Sequence, residues 1–308
     1  MNWKKLGLVY NVTGDKSWAK SHAMIPTPLE LPDRIRVFYG TRGIDGRSSI
    51  SFVDLDKKNP NKILYEHPKP CLTHGAVGCF DDSGVLPGCI VSEEGRILLY
   101  YVGFNVRNTV PYSNAIGIAE SYDDGFTFQR VYDGAIVDRT ATEPYFAVSP
   151  CVLRKDNRWL LWYASCTEWI TVNDKREALY HIKYAESADG LNWDRPNISC
   201  IHPLTSDESN ARPTVLFREG EFQMYYSFRG SRDFRDGSDS YMIGYATSTD
   251  GKAWTRKDAQ AGINLSNSGW DSKMLAYPSI IQTGNDSLLL YNGNGFGFTG
   301  FGIAIKNQ

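Results

Sequence analysis

Hydrophobic and polar positions in this chain fall into a unit that recurs along its length. A proline opens a short apolar run, a polar turn follows, and a second apolar run ends in tyrosine. The unit reads Val-Leu-Pro-Gly-Cys-Ile-Val then Arg-Ile-Leu-Leu-Tyr-Tyr at 85–91 and 96–101. It returns as Val-Ser-Pro-Cys-Val-Leu then Arg-Trp-Leu-Leu-Trp-Tyr at 148–153 and 158–163, and as Ala-Arg-Pro-Thr-Val-Leu then Glu-Phe-Gln-Met-Tyr-Tyr at 211–216 and 221–226. A further copy, Ala-Tyr-Pro-Ser-Ile-Ile then Ser-Leu-Leu-Leu-Tyr, lies at 276–281 and 287–291, and a first one fits 24–29 with 35–39. Pro26, Pro87, Pro150, Pro213 and Pro278 stand 61, 63, 63 and 65 residues apart. Short apolar runs bounded by turn residues and rich in aromatic and branched side chains predict strands.

Each unit continues alike. A third run alternates small and apolar residues at 116–121, 182–187 and 243–248, and closes on a Ser/Asp/Gly turn at Asp123, Asp189 and Asp250. An aromatic then opens a fourth strand: Phe128, Trp193 and Trp254. The first copy is looser, with runs at 50–55 and 63–65. The last has only three strands before residue 308, whereas Asn2-Trp3-Lys4-Lys5 resembles the Trp-bearing outer strand of the other units. The expected fold is all-β: a single five-bladed β-propeller spanning 1–308, with four-stranded blades and the ring closed by the N-terminal strand in the last blade. Such closure leaves few exposed strand edges.

Composition narrows the picture. The 308 residues carry 33 Lys and Arg against 35 Asp and Glu, with no block of like charge. No basic footprint for a nucleic-acid backbone or an anionic membrane is present, so neither partner is expected. The longest near-continuous apolar run, 97–104, is far too short to span a bilayer. Six cysteines are spread through the middle of the chain without Cys-x-x-Cys spacing or a nearby histidine. With no signal-peptide pattern at the start, a cytoplasmic protein with free thiols is expected. No organic cofactor and no metal ligand set is expected, although a structural cation in the central channel would be compatible with the fold.

The aspartate turns have a structural reading. Their carboxylates cap backbone N–H groups while glycine supplies the positive φ. Trp3, Trp193 and Trp254 read as packing anchors between blades. Chemistry is expected instead at the central funnel, lined by residues just before each repeat proline and just after each second strand. Those positions hold His22; Asp81 and Asp82; Glu143 and Tyr145; Glu208 and Arg212; and Asp271 and Lys273. After the second strands stand Arg42, Asn105, Glu168 with Trp169, Arg229 and Arg232, and Asn292.

The fivefold pattern of proline strand, Tyr-Tyr strand, Asp-Gly turn and Trp resembles the five-bladed propeller glycosidases. These comprise the family 43 arabinanases and xylosidases, the invertase and levansucrase families and the family 130 mannoside phosphorylases. The resemblance implies a sugar in the funnel and chemistry by carboxylates from different blades. Family 43 places Asp before the proline in two blades and Glu-Gly-Pro in another. Here those slots read Ile25, Leu86, Ser149, Arg212 and Tyr277, and the invertase-type Asn-Asp-Pro and Arg-Asp-Pro are absent. The chain is a divergent member, and roles do not carry over by position.

Glycoside cleavage needs a carboxylic acid to protonate the leaving oxygen and a second carboxylate as base or nucleophile. Glu143, flanked by Tyr145 and Phe146 that would raise its pKa, is the expected acid. Asp82, with Asp81 competing, is the expected base or nucleophile, and Asp271 modulates or binds a hydroxyl. For Asp82 and Glu143 a turn-capping role is an equal alternative, and for Asp271 it is the stronger one. His22, Arg42, Asn105, Tyr145, Glu168, Glu208, Arg212, Arg229 and Lys273 are the expected substrate contacts. The arginines favour an anionic substrate: an acidic, phosphorylated or nucleotide-linked sugar. The leading expectation is a glycoside hydrolase; a glycosyl transferase or phosphorylase of polysaccharide metabolism and a non-catalytic sugar-binding propeller are the alternatives. Two carboxylates facing across the funnel would favour hydrolysis. One carboxylate among several arginines would favour transfer or phosphorolysis.

Overall fold

A computed structural model describes residues 2–93, 95–235, 237–284 and 286–307. Strand β1 (Lys4–Tyr10) precedes a run of antiparallel four-strand groups. The first comprises β2 (Ser21–Glu30), β3 (Arg34–Arg42), β4 (Ser48–Asp56) and β5 (Ile63–Glu66). The second comprises β6 (Gly84–Glu93), β7 (Arg96–Val106), β8 (Tyr112–Ser121) and β9 (Gln129–Arg130). Then come β10 (Ala147–Lys155), β11 (Arg158–Val172), β12 (Lys175–Ser187) and β13 (Asp194–Ser199). They are followed by β14 (Ser209–Arg218), β15 (Glu221–Arg229), β16 (Met242–Ser248) and β17 (Thr255–Arg256). Finally β18 (Ala276–Thr283), β19 (Asp286–Asn292) and β20 (Phe301–Asn307) pair in order, and β1 adds to β20 as the fourth strand. A single parallel contact, Ser48 with Gly84, links the first two groups. Among the described residues no α-helix occurs, only two 3-10 turns, and no helix is long and apolar enough to cross a membrane.

The first strands pack on one another in sequence, β2 on β6, β6 on β10, β10 on β14 and β14 on β18, and β18 packs on β2. Farther out, the recurring aromatic of each group leans on the second strand of the group before it. Phe128 meets Phe38 at 5.5 Å, Trp193 meets Tyr100 at 6.3 Å, Trp254 meets Trp162 at 6.1 Å and Trp3 meets Tyr225 at 5.8 Å. These edge-to-face contacts lie between buried apolar faces, where they add to area burial. The aspartate turns serve the same joints. Asp189 accepts from the N–H groups of Leu191 and Asn192, and the Tyr100 hydroxyl of the preceding sheet donates to the Gly190 carbonyl. Asp250 repeats this, with Trp162 donating to Gly251.

The repeat proline marks a bulge in each first strand. The pairing register slips there in all five groups, and Ile25, Ser149, Arg212 and Tyr277, each just before a proline, have φ between 49° and 57°. Bulges re-aim a side chain, and a left-handed non-glycine residue is strain held by its surroundings. In the second group no residue beside Pro87 is left-handed; Gly88 there permits a close approach instead, since a Cβ on it would stand 2.4 Å from the Tyr100 carbonyl oxygen and 2.5 Å from the Pro150 ring.

Candidate active site

The expected carboxylates are engaged within their own sheets. Glu143 accepts from the Tyr163 hydroxyl at 3.0 Å and pairs with Arg195 at 3.0 Å. Asp271 accepts from the Tyr291 hydroxyl at 2.9 Å and pairs with Lys5 at 2.6 Å. Asp81 does the same with Tyr101 at 3.0 Å and Arg130 at 2.7 Å. In the fourth group Arg256 joins Glu208 at 2.6 Å to Asp258 at 2.7 Å, and the Tyr226 hydroxyl donates to Asp258. One arrangement thus recurs, a buried acid before the first strand, a tyrosine on the second and a cation near the outer strand, with the acid's part divided between Glu208 and Asp258 in the fourth group. A device repeated in four sheets ties each sheet together. It does not mark a single reaction centre.

The protonation of Glu143 runs against the expectation for an acid. Burial alone would raise its pKa, but the Ser165 hydroxyl, Arg195 and Lys183 outweigh burial and hold it below 4.5. Asp82 caps a loop, accepting from Ser83, from the Gly78 N–H and from Asn105. Those three bonds, the Ser83 hydroxyl foremost, lower its pKa. Asp82, Glu143 and Asp271 each bond partners of their own group, and none of them lines the central cavity. Asn105 is spent on Asp82 and the Cys79 carbonyl. Tyr145, Glu168 and Lys273 are exposed, and Glu208 is held by Arg256; none of them lines the central cavity. His22, with φ of 68°, bonds Ser21 through Nδ1 and stacks edge-on to Phe298 at 5.4 Å. Burial, and then Arg42, bring its pKa down to about 4. Arg212 is nearly fully buried elsewhere, pairing with neither Glu208 nor Glu143.

Arg42 and Arg229 do line the central cavity. It measures about 230 Å³, and all five groups contribute to it. Ile25, Leu86, Ser149, Ala211 and Tyr277 come from the first strands at or beside the bulges. Tyr112, Asn114, Glu177 and Tyr180 come from third strands, and Phe146, Phe234, Arg235, Tyr241 and Phe296 from the adjoining loops. Arg229 is the centrepiece. Its Nε faces the hydroxyls of Tyr180 and Tyr241, each at 3.3 Å, and those hydroxyls bond one another. Its Nη2 donates to the Ala178 carbonyl at 2.9 Å, and the guanidinium stacks 3.8 Å from the Phe234 ring centre. Burial would lower the Arg229 pKa, but Tyr180 and Tyr241 more than offset it, and the group stays charged. Burial keeps the Tyr112, Tyr241 and Tyr277 hydroxyls protonated.

Glu177 is the cavity's one carboxylate among the described residues, 8% exposed and 2.7 Å from Arg235. Its carboxylate accepts a hydrogen bond from the Arg235 guanidinium. Asn114 is buried in the same lining with an unpartnered side-chain oxygen, an acceptor open to a ligand hydroxyl. Sequence reasoning missed Glu177, Tyr180, Arg235 and Asn114. The available signal was the third group's hairpin, which runs on past its repeat length to Val172 and returns from Lys175. Among the described residues no cluster of three potential ligands could hold a metal ion.

No family model matches the chain. Two uncharacterized proteins from strains of Mycobacterium tuberculosis, MT1551 and Rv1502, are each 36% identical over 307 residues, 99% of this chain and of theirs. Among solved structures, a glycoside hydrolase superimposes with a TM-score of 0.77 at 16% identity, covering 99% of this chain and 92% of its own. A thermostable family-43 glycoside hydrolase does so with a TM-score of 0.68 at 14% identity, covering 93% and 89%. A structure from work on the GH130 mannoside phosphorylases, a family containing hydrolases of β-1,2-mannosidic linkages in Candida mannan, gives 0.70 at 14% identity, covering 99% and 95%. The chain shares the fold of these structures.

Proposed function

The chain belongs to the same family as the uncharacterized Mycobacterium tuberculosis protein Rv1502, and from that premise we propose a carbohydrate-active enzyme that cleaves a small anionic glycoside in its central cavity. The scaffold is read as five blades in one ring, with β1 completing the last. The observation that carries the function is the cavity's chemistry: one carboxylate, Glu177, among Arg42, Arg229, Arg235 and a wall of aromatic rings.

Aromatic faces and a few polar groups suit a sugar ring, and the guanidinium forks suit a phosphate or carboxylate. Glu177 accepts the proton of the attacking hydroxyl, which adds its oxygen to the anomeric carbon as the old glycosidic bond breaks. With no second carboxylic acid in the lining among the described residues, the leaving oxygen must depart without one. A phosphate leaves in that way, its charge taken up by the arginines. That favours a phosphate-linked sugar as donor, with water as the acceptor in hydrolysis. One carboxylate among several arginines is also the pattern expected for transfer to a sugar hydroxyl or phosphorolysis, which is the second reading; hydrolysis is placed first because a phosphate leaving group needs no second acid. The six free thiols suit a reducing, cytoplasmic compartment.

The test is a screen of purified protein against nitrophenyl glycosides, sugar phosphates and nucleotide sugars, with and without inorganic phosphate, beside Arg42→Met. Turnover of phosphate-linked donors, reduced at least tenfold in Arg42→Met, is expected. Phosphate-dependent turnover of neutral glycosides would shift the reading to phosphorolysis. Binding of sugars without turnover of any donor would leave a sugar-binding propeller.

A further inference from the structure

A second cavity, about 150 Å³, continues along the same five first strands beyond the bulges. On each strand the lining shifts by a residue or more: from Ile25 to Thr27, Leu86 to Gly88, Ser149 to Cys151, Ala211 to Arg212 and Tyr277 to Ser279. The feature that stands out is Arg212. It is 2% exposed and lines this cavity, whereas Tyr277, in the same slot and with the same left-handed backbone, lines the sugar cavity.

Its partners are neutral. Nη1 donates to the Gly88 carbonyl on β6, Nη2 donates to the Thr27 hydroxyl on β2 at 3.0 Å, and Nε has no partner. Among the described residues no carboxylate reaches it; Glu208 and Glu143, the nearest in sequence, are held by Arg256 and Arg195. A guanidinium taken out of water needs compensating negative charge, because neutral hydrogen bonds do not repay the loss of hydration. Burial accordingly lowers the Arg212 pKa to about 10.

We propose that this inner cavity is an anion site in which Arg212 holds one halide ion, separate from the sugar cavity and independent of the reaction proposed there. The lining favours a halide over an oxyanion. Apart from Arg212 it offers the hydroxyls of Thr27, Thr214 and Ser279 and the thiols of Cys89 and Cys151. Several are already engaged: Thr27 donates to the Ile25 carbonyl, and the two sulfurs accept from the Val152 and Val215 N–H groups. A phosphate or sulfate would leave several oxygens without donors, whereas a spherical ion needs no directed set. The cation anticipated for the channel is replaced by the protein's own cation, and the ion that completes it has the opposite sign. With β14 joined to β2 and β6 through Arg212, the halide stabilises the centre of the ring.

Thermal unfolding in sodium chloride, with sodium gluconate holding ionic strength fixed, tests this. The wild type is expected to gain about 2–4 °C per tenfold rise in chloride above the dissociation constant. Arg212→Met should give a flat response. A crystal soaked in bromide should show an anomalous peak beside the guanidinium, a readout that needs no variant to fold. The internal alternative is a Cys89 thiolate as the counter-charge. An unchanged melting temperature, an equal chloride response in Arg212→Met, or an empty bromide map with Cys89 alkylated rapidly at pH 6 would each overturn the halide site.

Discussion

Glu143 and Glu177 are both buried and both paired with arginine, yet their surroundings assign them different work. Glu143 meets a tyrosine of its own sheet and two cations, in an arrangement that Asp81 and Asp271 repeat. Glu177 faces a cavity to which every group contributes. Glu143→Gln leaves Arg195 without its charged partner, and a loss of about 3 kcal/mol in urea unfolding is expected. The pH dependence has a definite sign. The folded-state pKa lies below the unfolded value, so this contribution is complete above pH 4.5 and fades as pH falls through the folded value. The acid limb of wild-type stability should therefore be steeper than that of Glu143→Gln. The scaffold role of these acids was legible: each stands 20 residues before a second-strand tyrosine in three units. Their placement before the repeat prolines instead suggested the funnel. Within a turn leading into a strand, spacing alone does not say whether a carboxylate faces the channel or its own sheet.

At the scale of elements, the strands and their order were readable because apolar runs, turn residues and a proline recur together. What could not be read was the direction of each pre-proline side chain. A bulge shifts pairing by one residue, and one residue reverses the face of a strand. Tyr277 and Arg212 hold the same slot in the repeat and line different cavities. Arg235 and Glu177 escaped notice for a related reason, since they stand on an extension of β12 and a loop that the repeat does not contain. Gly88 belongs to this scale too. Gly88→Ala drives a methyl into the Tyr100 carbonyl and the Pro150 ring, both rigid, so a loss of about 1–3 kcal/mol is expected. A denaturation midpoint equal to the wild type's would show that the first strands are less tightly opposed than these contacts require.

For the whole molecule, the N-terminal strand is the fourth strand of the last sheet, and the proposed five-bladed reading makes it the closure element. β1 covers the edge of β20, Lys5 pairs with Asp271, and Trp3 packs on Tyr225 of the preceding group while its N–H bonds the Gly262 carbonyl. Deleting residues 1–10 uncovers a strand edge and unpairs a buried carboxylate. The expected outcome is a broad, non-cooperative unfolding transition and self-association detectable by light scattering. A monomeric truncation that melts as sharply as the full chain would contradict closure by β1.

The proposed function assigns chemistry at this scale to the cavity shared by all five groups and not to the acids inside each sheet. Turnover of an anionic donor by Glu177→Gln and Glu143→Gln, each normalised to folded protein, tests that assignment most directly. A loss of at least about 100-fold in kcat is expected for Glu177→Gln, with its melting temperature retained, and near wild-type kcat for the folded fraction of Glu143→Gln. The reverse pattern, with Glu177→Gln active and folded Glu143→Gln inactive, would contradict it.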